Sequence, residues 1–214
     1  MRGSTSLVPD AVGVLFYAGI DEAGYGPMLG PLCVGVSAFL IHDHTPPAPP
    51  PNLWELLSDG VCASPRDARR RVAVADSKRL KGARKAKAHP LRHLERGVLS
   101  FLGTLADHTP PRMLSDTDLF ALLGAELPTT VTTPWYDSLT QLPVAHSHEM
   151  ISIASARLRT TLANAGIETL DLGVISVDAG ELNCRIAEGA NKATVNQDTI
   201  LQLVGRIRNV AANH

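Results

Sequence analysis

An apolar run, Val14-Leu15-Phe16-Tyr17-Ala18, leads directly into Gly19-Ile20-Asp21-Glu22-Ala23-Gly24-Tyr25-Gly26, and the further breakers Pro27, Gly30 and Pro31 follow. A second apolar run extends from Pro31 to Ile41. So many glycines and prolines cannot sit inside a helix or strand. The flanking runs therefore read as two strands, residues 14–20 as a buried one and residues 31–41 as its neighbour, with an antiparallel pair as the simplest arrangement. Asp21 and Glu22 then fall where a buried strand gives way to a turn. Two ionised carboxylates taken partly out of water are costly unless a cation or hydrogen bonds compensate. Paired hard oxygen donors beside a backbone open to close approach suit Mg2+- or Mn2+-assisted phosphodiester chemistry.

Composition narrows the alternatives. The chain has 214 residues, 44% hydrophobic and 19% charged, which predicts a globular domain rather than global disorder. Aromatic residues are only 4%, too few for a surface that stacks single-stranded bases. The formal net charge is −1, so nucleic-acid affinity must come from a local basic patch. Cys33, Cys62 and Cys184 are widely separated and form no Cys-x-x-Cys pair, which argues against a zinc knuckle and fits a reducing cytoplasm. No signal-like leader and no run of about 20 apolar residues is present, so a cytoplasmic protein with no membrane partner is expected.

Further along, residues 42–52 carry five prolines and read as an extended connector. Residues 53–59 suit a short amphipathic helix. A basic run occupies Arg66 to Arg71. Val72-Ala73-Val74-Ala75 ends in Asp76-Ser77-Lys78, and a basic segment follows with Leu91, Leu94, Val98 and Leu102 at helical spacing, predicting a helix with a basic outer face. Ser115-Asp116-Thr117-Asp118 predicts a helix start. Ser147 reads as an N-cap, with Ile151, Ala154, Leu158 and Leu162 on one stripe and Gly166 at the end. Val174–Val177 predicts a strand, and Thr194-Val195-Asn196-Gln197 a capping box before a last helix. The alternation of strands and helices suggests an α/β chain.

Asp21-Glu22-Ala23-Gly24-Tyr25-Gly26-Pro27, then Gly30-Pro31 opening a strand, then Asp76-Ser77-Lys78-Arg79-Leu80 before a basic helix, resemble the motifs of the ribonuclease HII family in their order, over about residues 14–100. Later segments, with Pro134-Trp135-Tyr136, Glu181-Leu182-Asn183 and Asn191-Lys192, resemble a divergent bacterial ribonuclease HII-like group. The resemblance implies a ribonuclease H-like fold, a mixed central sheet flanked by helices, in one domain over residues 1–214 with the connector at 42–52 and an irregular insertion at about 103–146. It implies endonucleolytic cleavage of RNA in RNA–DNA hybrids, or at ribonucleotides in duplex DNA, by a monomer that uses Mg2+ or Mn2+.

Within that resemblance, Asp21 and Glu22 match the first two of four metal-binding carboxylates. Gly24, Tyr25 and Gly26 match the segment that reads the ribose 2′-OH through its backbone, with Tyr25 where the family has arginine. Ser77 and Lys78 match positions beside the substrate backbone, with Lys78 neutralising a phosphate. Asp178, in Val177-Asp178-Ala179-Gly180, superficially matches the third carboxylate but lies much further from Asp21 than the family spacing. On the alignment with the divergent group, Asp178 is not catalytic and the chain ends before the remaining ligands, which leaves the expected fold incomplete at its C-terminus. Asp198 competes for the fourth position with a plain role at a helix start. An inactive nucleic-acid-binding domain of the same fold is the alternative to a nuclease.

The remaining candidates have bland readings. His42-Asp43-His44 and His146-x-His148-Glu149 read as surface residues beside loops. Cys33 reads as core, and Trp135-Tyr136 as loop packing rather than base stacking.

Overall fold

A computed structural model describes residues 13–23, 30–82, 88–105, 114–126 and 140–214. The elements in chain order are β1 (Gly13–Ala23), β2 (Leu32–His44), α1 (Leu53–Leu56), β3 (Val61–Cys62), β4 (Val72–Ala73), α2 (Ser77–Leu80) and α3 (Arg92–Leu102). Then come β5 (Leu114–Ser115), α4 (Asp116–Leu122), β6 (Gln141–Leu142), α5 (His148–Asn164), β7 (Ile167–Val177), α6 (Ala179–Ala187) and α7 (Lys192–Ala211).

The main sheet has the order β1-β2-β7 and is antiparallel throughout. Among the described residues, parallel pairing occurs only in the short β3–β4 ladder outside it. The chain is thus a mixed α/β structure built on a small antiparallel sheet. The two strands flanking the glycine-rich turn do pair as expected, from Leu15 opposite Ile41 to Ala23 opposite Cys33.

β2 is the spine because both of its faces are covered. On one face Phe39 and Ile41 join Leu158 and Leu162 of α5, together with Val61 of β3 and Val72 of β4. On the other, Val34 and Val36 meet Leu203 of α7. Each buried Leu or Val of this kind contributes about 1.5–3 kcal/mol. The α5 stripe of Ile151, Ala154, Leu158 and Leu162 is buried as its spacing requires, and Ser147 caps the helix through the Met150 amide. In α7, Val195, Thr199 and Leu203 recur every four residues and form the buried face, the Thr199 hydroxyl donating to the Val195 carbonyl.

Several expectations are corrected. β1 is an edge strand among the described residues, not a buried one: no residue of it is fully buried, and Val14, Ala18, Gly19 and Asp21–Ala23 are exposed. An apolar run shows that a strand has an apolar face, and only the neighbouring strands decide whether its rim is covered. β2 runs on to His44, into the segment expected to be a connector. In α3 the buried residues are Leu99, Ser100 and Leu102, while Leu91 and Val98 are exposed. The last helix is capped by Asn191, whose side chain accepts from the Thr194 amide, so Thr194 sits inside the first turn rather than at the cap.

Candidate functional site

Asp21 pairs with Gly35, and Gly35 with Val174; Glu22 pairs with Val34, and Val34 with Ile175. The acidic pair therefore lies level with the start of β2 and the last part of β7. Successive strand residues project to opposite faces. Ile20 packs with Val34, Val36 and Leu203 on the α7 face, whereas Leu15 and Tyr17 pack with the cluster on the α5 face. By that alternation Glu22 projects toward the α7 side and Asp21 toward the α5 side. Both are exposed, which corrects the expectation of half-burial. The Asp21 Oδ1 accepts from the Glu22 amide at 3.0 Å. No cationic side chain pairs with either carboxylate among the described residues.

The second motif hangs from the same apolar cluster. Val72 is buried in it and Val74 packs against it, as do Leu15 and Tyr17 of β1. Asp76 follows Val74 by two residues and Asp21 follows Tyr17 by four. Asp76 acts as the N-cap of α2: its Oδ1 accepts from the Lys78 amide at 2.8 Å. Ser77 and Lys78 are exposed on that turn, and the buried Leu80 pins it to Cys62, Ala68 and Ala73. Gly24, Tyr25 and Gly26 lie outside the described residues.

Asp178 stands just beyond the end of β7, whose last residue Val177 pairs with Leu32. It is two strands away from β1, and its Oδ1 accepts from the Glu181 amide at 2.7 Å as the N-cap of α6. Asp198 lies 3.9 Å from Arg185, which also pairs with Glu181 at 2.8 Å. Among the described residues no three His, Cys, Asp or Glu side chains converge in a way that could hold a metal ion. The donor set at the β1 end is thus Asp21 and Glu22, two hard oxygen donors. Because they project to opposite faces they do not grip one ion jointly; either alone matches the single carboxylate with which a Mg2+ site completed by substrate phosphates and water can be built.

One cationic assembly escaped the sequence reading. Arg96 of α3 donates from Nη1 to the Ala68 carbonyl at 2.9 Å, and Arg157 of α5 donates from Nη1 to the Arg70 carbonyl at 3.0 Å. The run Arg66–Arg71 and the basic character of α3 are visible in the sequence, but Arg157 sits among the polar residues of α5 with no local signal. Only the packing of α3 against α5 and β4 brings it to the same turn. Nearby, His93 is held below its ordinary range by burial first, then by the positive charges of Arg92, His146 and Arg96.

No family model, curated protein or solved structure matches this chain. No helix among the described residues is long and apolar enough to cross a membrane.

Proposed function

We propose that this chain is a metal-dependent endonuclease of the ribonuclease HII type, acting on RNA in RNA–DNA hybrids or at ribonucleotides in duplex DNA, with a ribonuclease H-like fold. The observation that carries the reading is the pair Asp21–Glu22, exposed at the end of β1 without a cationic partner among the described residues, on a strand that shares its apolar cluster with the Asp76-Ser77-Lys78 segment. Carboxylates without a cationic partner keep their charge available to a divalent ion. Mg2+ or Mn2+ would be held by Asp21 or Glu22 on its own face of β1, with phosphate oxygens and water completing the shell, and would supply charge stabilisation for in-line phosphodiester hydrolysis. Lys78 offers an exposed ammonium to a phosphate beside the scissile linkage.

A second reading has its own support. Asp21 and Glu22 are exposed and project to opposite faces, and no third acidic residue joins them among the described residues. This favours a nucleic-acid-binding domain that holds its ligand without cutting it. A cleavage assay separates the two, using a duplex with one embedded ribonucleotide and an RNA–DNA hybrid, each with Mg2+ or Mn2+. The nuclease reading expects metal-dependent cutting that Asp21→Asn abolishes. Binding without cutting supports the second reading, and cutting that survives Asp21→Asn refutes the site.

A further inference from the structure

Three elements bring arginines to one short turn. Ala68 and Arg70 are two residues apart, so their carbonyls lie within about 7 Å of each other. Arg96 arrives from α3 and Arg157 from α5, each spending one Nη1 donor on one of those carbonyls. Arg71, at the end of the turn, is fixed in the same way by the Ser58 carbonyl at 3.2 Å. A guanidinium offers five donors, so each of these anchored groups keeps most of them. The Nε of Arg96 is buried and has no hydrogen-bond partner among the described residues. Asp67 is exposed in the same turn, and Glu95 of α3 is committed to the amides of Val144 and Ala145. Neither forms an ion pair with Arg70, Arg71, Arg96 or Arg157, and no other carboxylate does so among the described residues.

Like charges gathered without counter-charge are destabilising unless a mobile or bound anion offsets them. Here backbone carbonyls hold the guanidinium groups of Arg71, Arg96 and Arg157 in place, so ordering them costs a ligand little further entropy. α3, α5 and the β3–β4 ladder form the layer that covers the sheet face toward which Asp21 projects.

We propose that Arg71, Arg96 and Arg157 form a docking platform for a nucleic-acid phosphate backbone, separate from the Asp21–Glu22 end of β1. Planar guanidinium groups match phosphate oxygens bidentately, and a platform fixed by three elements tracks a backbone rather than reading bases. The choice of nucleic acid over another polyanion rests on the nuclease reading; the arginine geometry does not.

The test is binding of the full chain to a fluorescently labelled RNA–DNA hybrid, followed by anisotropy in EDTA over a range of NaCl concentrations. EDTA removes divalent ions and so separates docking from cutting. Wild type is expected to show a linear fall of log affinity with log salt. In Arg71→Gln/Arg157→Gln that slope is expected to become shallower by about one per guanidinium removed, while Arg157→Lys restores most of the charge term. Circular dichroism checks that each variant is folded, and Arg71→Gln alone, on a partly exposed side chain that makes a single hydrogen bond, keeps the test valid if the double variant does not fold. Unchanged affinity and slope in Arg71→Gln and in a folded double variant overturn the platform. Tighter binding of wild type to anionic vesicles or a phosphopeptide than to the hybrid overturns the choice of nucleic acid. Docking that depends on the arginines, with no cutting when Mg2+ is restored, leaves the platform standing and removes the nuclease reading. Cutting with arginine-independent docking does the reverse.

Discussion

Arg206 and Asp171 form a two-pronged ion pair across the α7 face of the sheet. Arg206 Nε donates to Asp171 Oδ2 and Nη2 to Oδ1, both at 2.7 Å, while Nη1 donates to the Leu123 carbonyl. The Leu123 carbonyl also accepts from the Val174 amide, so one guanidinium ties α7, β7 and the end of α4 together. Asp171 is only 11% exposed at its side chain. A methyl at Gly173 would lie 2.6 Å from the Arg206 Cζ, so the guanidinium occupies the space that a side chain there would take.

Arg206→Ala therefore leaves a largely buried carboxylate without its partner. The expected loss is about 3 kcal/mol, the lower end for breaking a buried pair, because Arg206 itself is partly solvated. Gly173→Ala should cost about 1–3 kcal/mol by displacing the guanidinium. Urea denaturation of both variants measures this, and a double variant that loses much less than the sum would show that the two act through the same contact.

Asp21→Asn and Glu22→Gln should leave stability within about 0.5 kcal/mol of wild type, since both side chains are exposed and neither has an ion-pair partner among the described residues. Thermal unfolding checks it. With that result in hand, loss of cutting in either variant reports on chemistry rather than on folding.

Glu95 accepts from the amides of Val144 and Ala145, and His146 Nε2 contacts the Arg92 carbonyl at 2.9 Å. One carboxylate thus moors the approach to α5 onto α3. Glu95→Ala should cost about 1.5–3 kcal/mol, the range for hydrogen bonds to a charged group. Hydrogen exchange should show the amides of Val144 and Ala145 losing protection before the α5 core does.

The folded-state pKa of His93 is depressed below its ordinary 6.5, through burial and then neighbouring positive charge. Between the folded and unfolded values the unfolded chain binds more protons, so stability falls as pH falls through 6.5 toward the folded value. His93→Gln should remove that acid-side loss, and its stability advantage over wild type should grow as the buffer is taken from neutral to mildly acidic. Parallel stability curves for the two proteins would refute it.

Leu158 has no exposed surface and sits at the centre of the α5 cluster. Leu158→Ala should cost about 2–5 kcal/mol, measured by the shift in denaturation midpoint at unchanged slope.

Local chemistry made some elements legible in the sequence. Ser115 and Asp118 form the reciprocal cap their spacing announces, and the α5 stripe follows from periodicity alone. β7 was readable only at Val174–Val177 because two of its earlier buried positions are Thr169 and Asp171. Their partners, Thr104 at 2.9 Å and Arg206, come from distant parts of the chain, so the strand looks polar until the fold supplies those bonds. The start of α7 was misplaced for a related reason: Asn191 and Thr194 are both good caps three residues apart, and the sequence pattern alone does not choose between them. The acidic motif was visible, but its exposure was not, because exposure depends on which strands lie beside β1. The arginine platform was the least legible, since it exists only once α3 and α5 pack around the Ala68–Arg70 turn.

The edge position of β1 has a practical consequence. Its outer hydrogen-bonding rim has no partner strand among the described residues, and the only charges along its length are those of Asp21 and Glu22. Like charges at the tip of an open rim discourage copies from annealing edge to edge. Removing both charges at once would remove this gatekeeper, so such a preparation should precipitate at concentrations where the single substitutions stay dispersed.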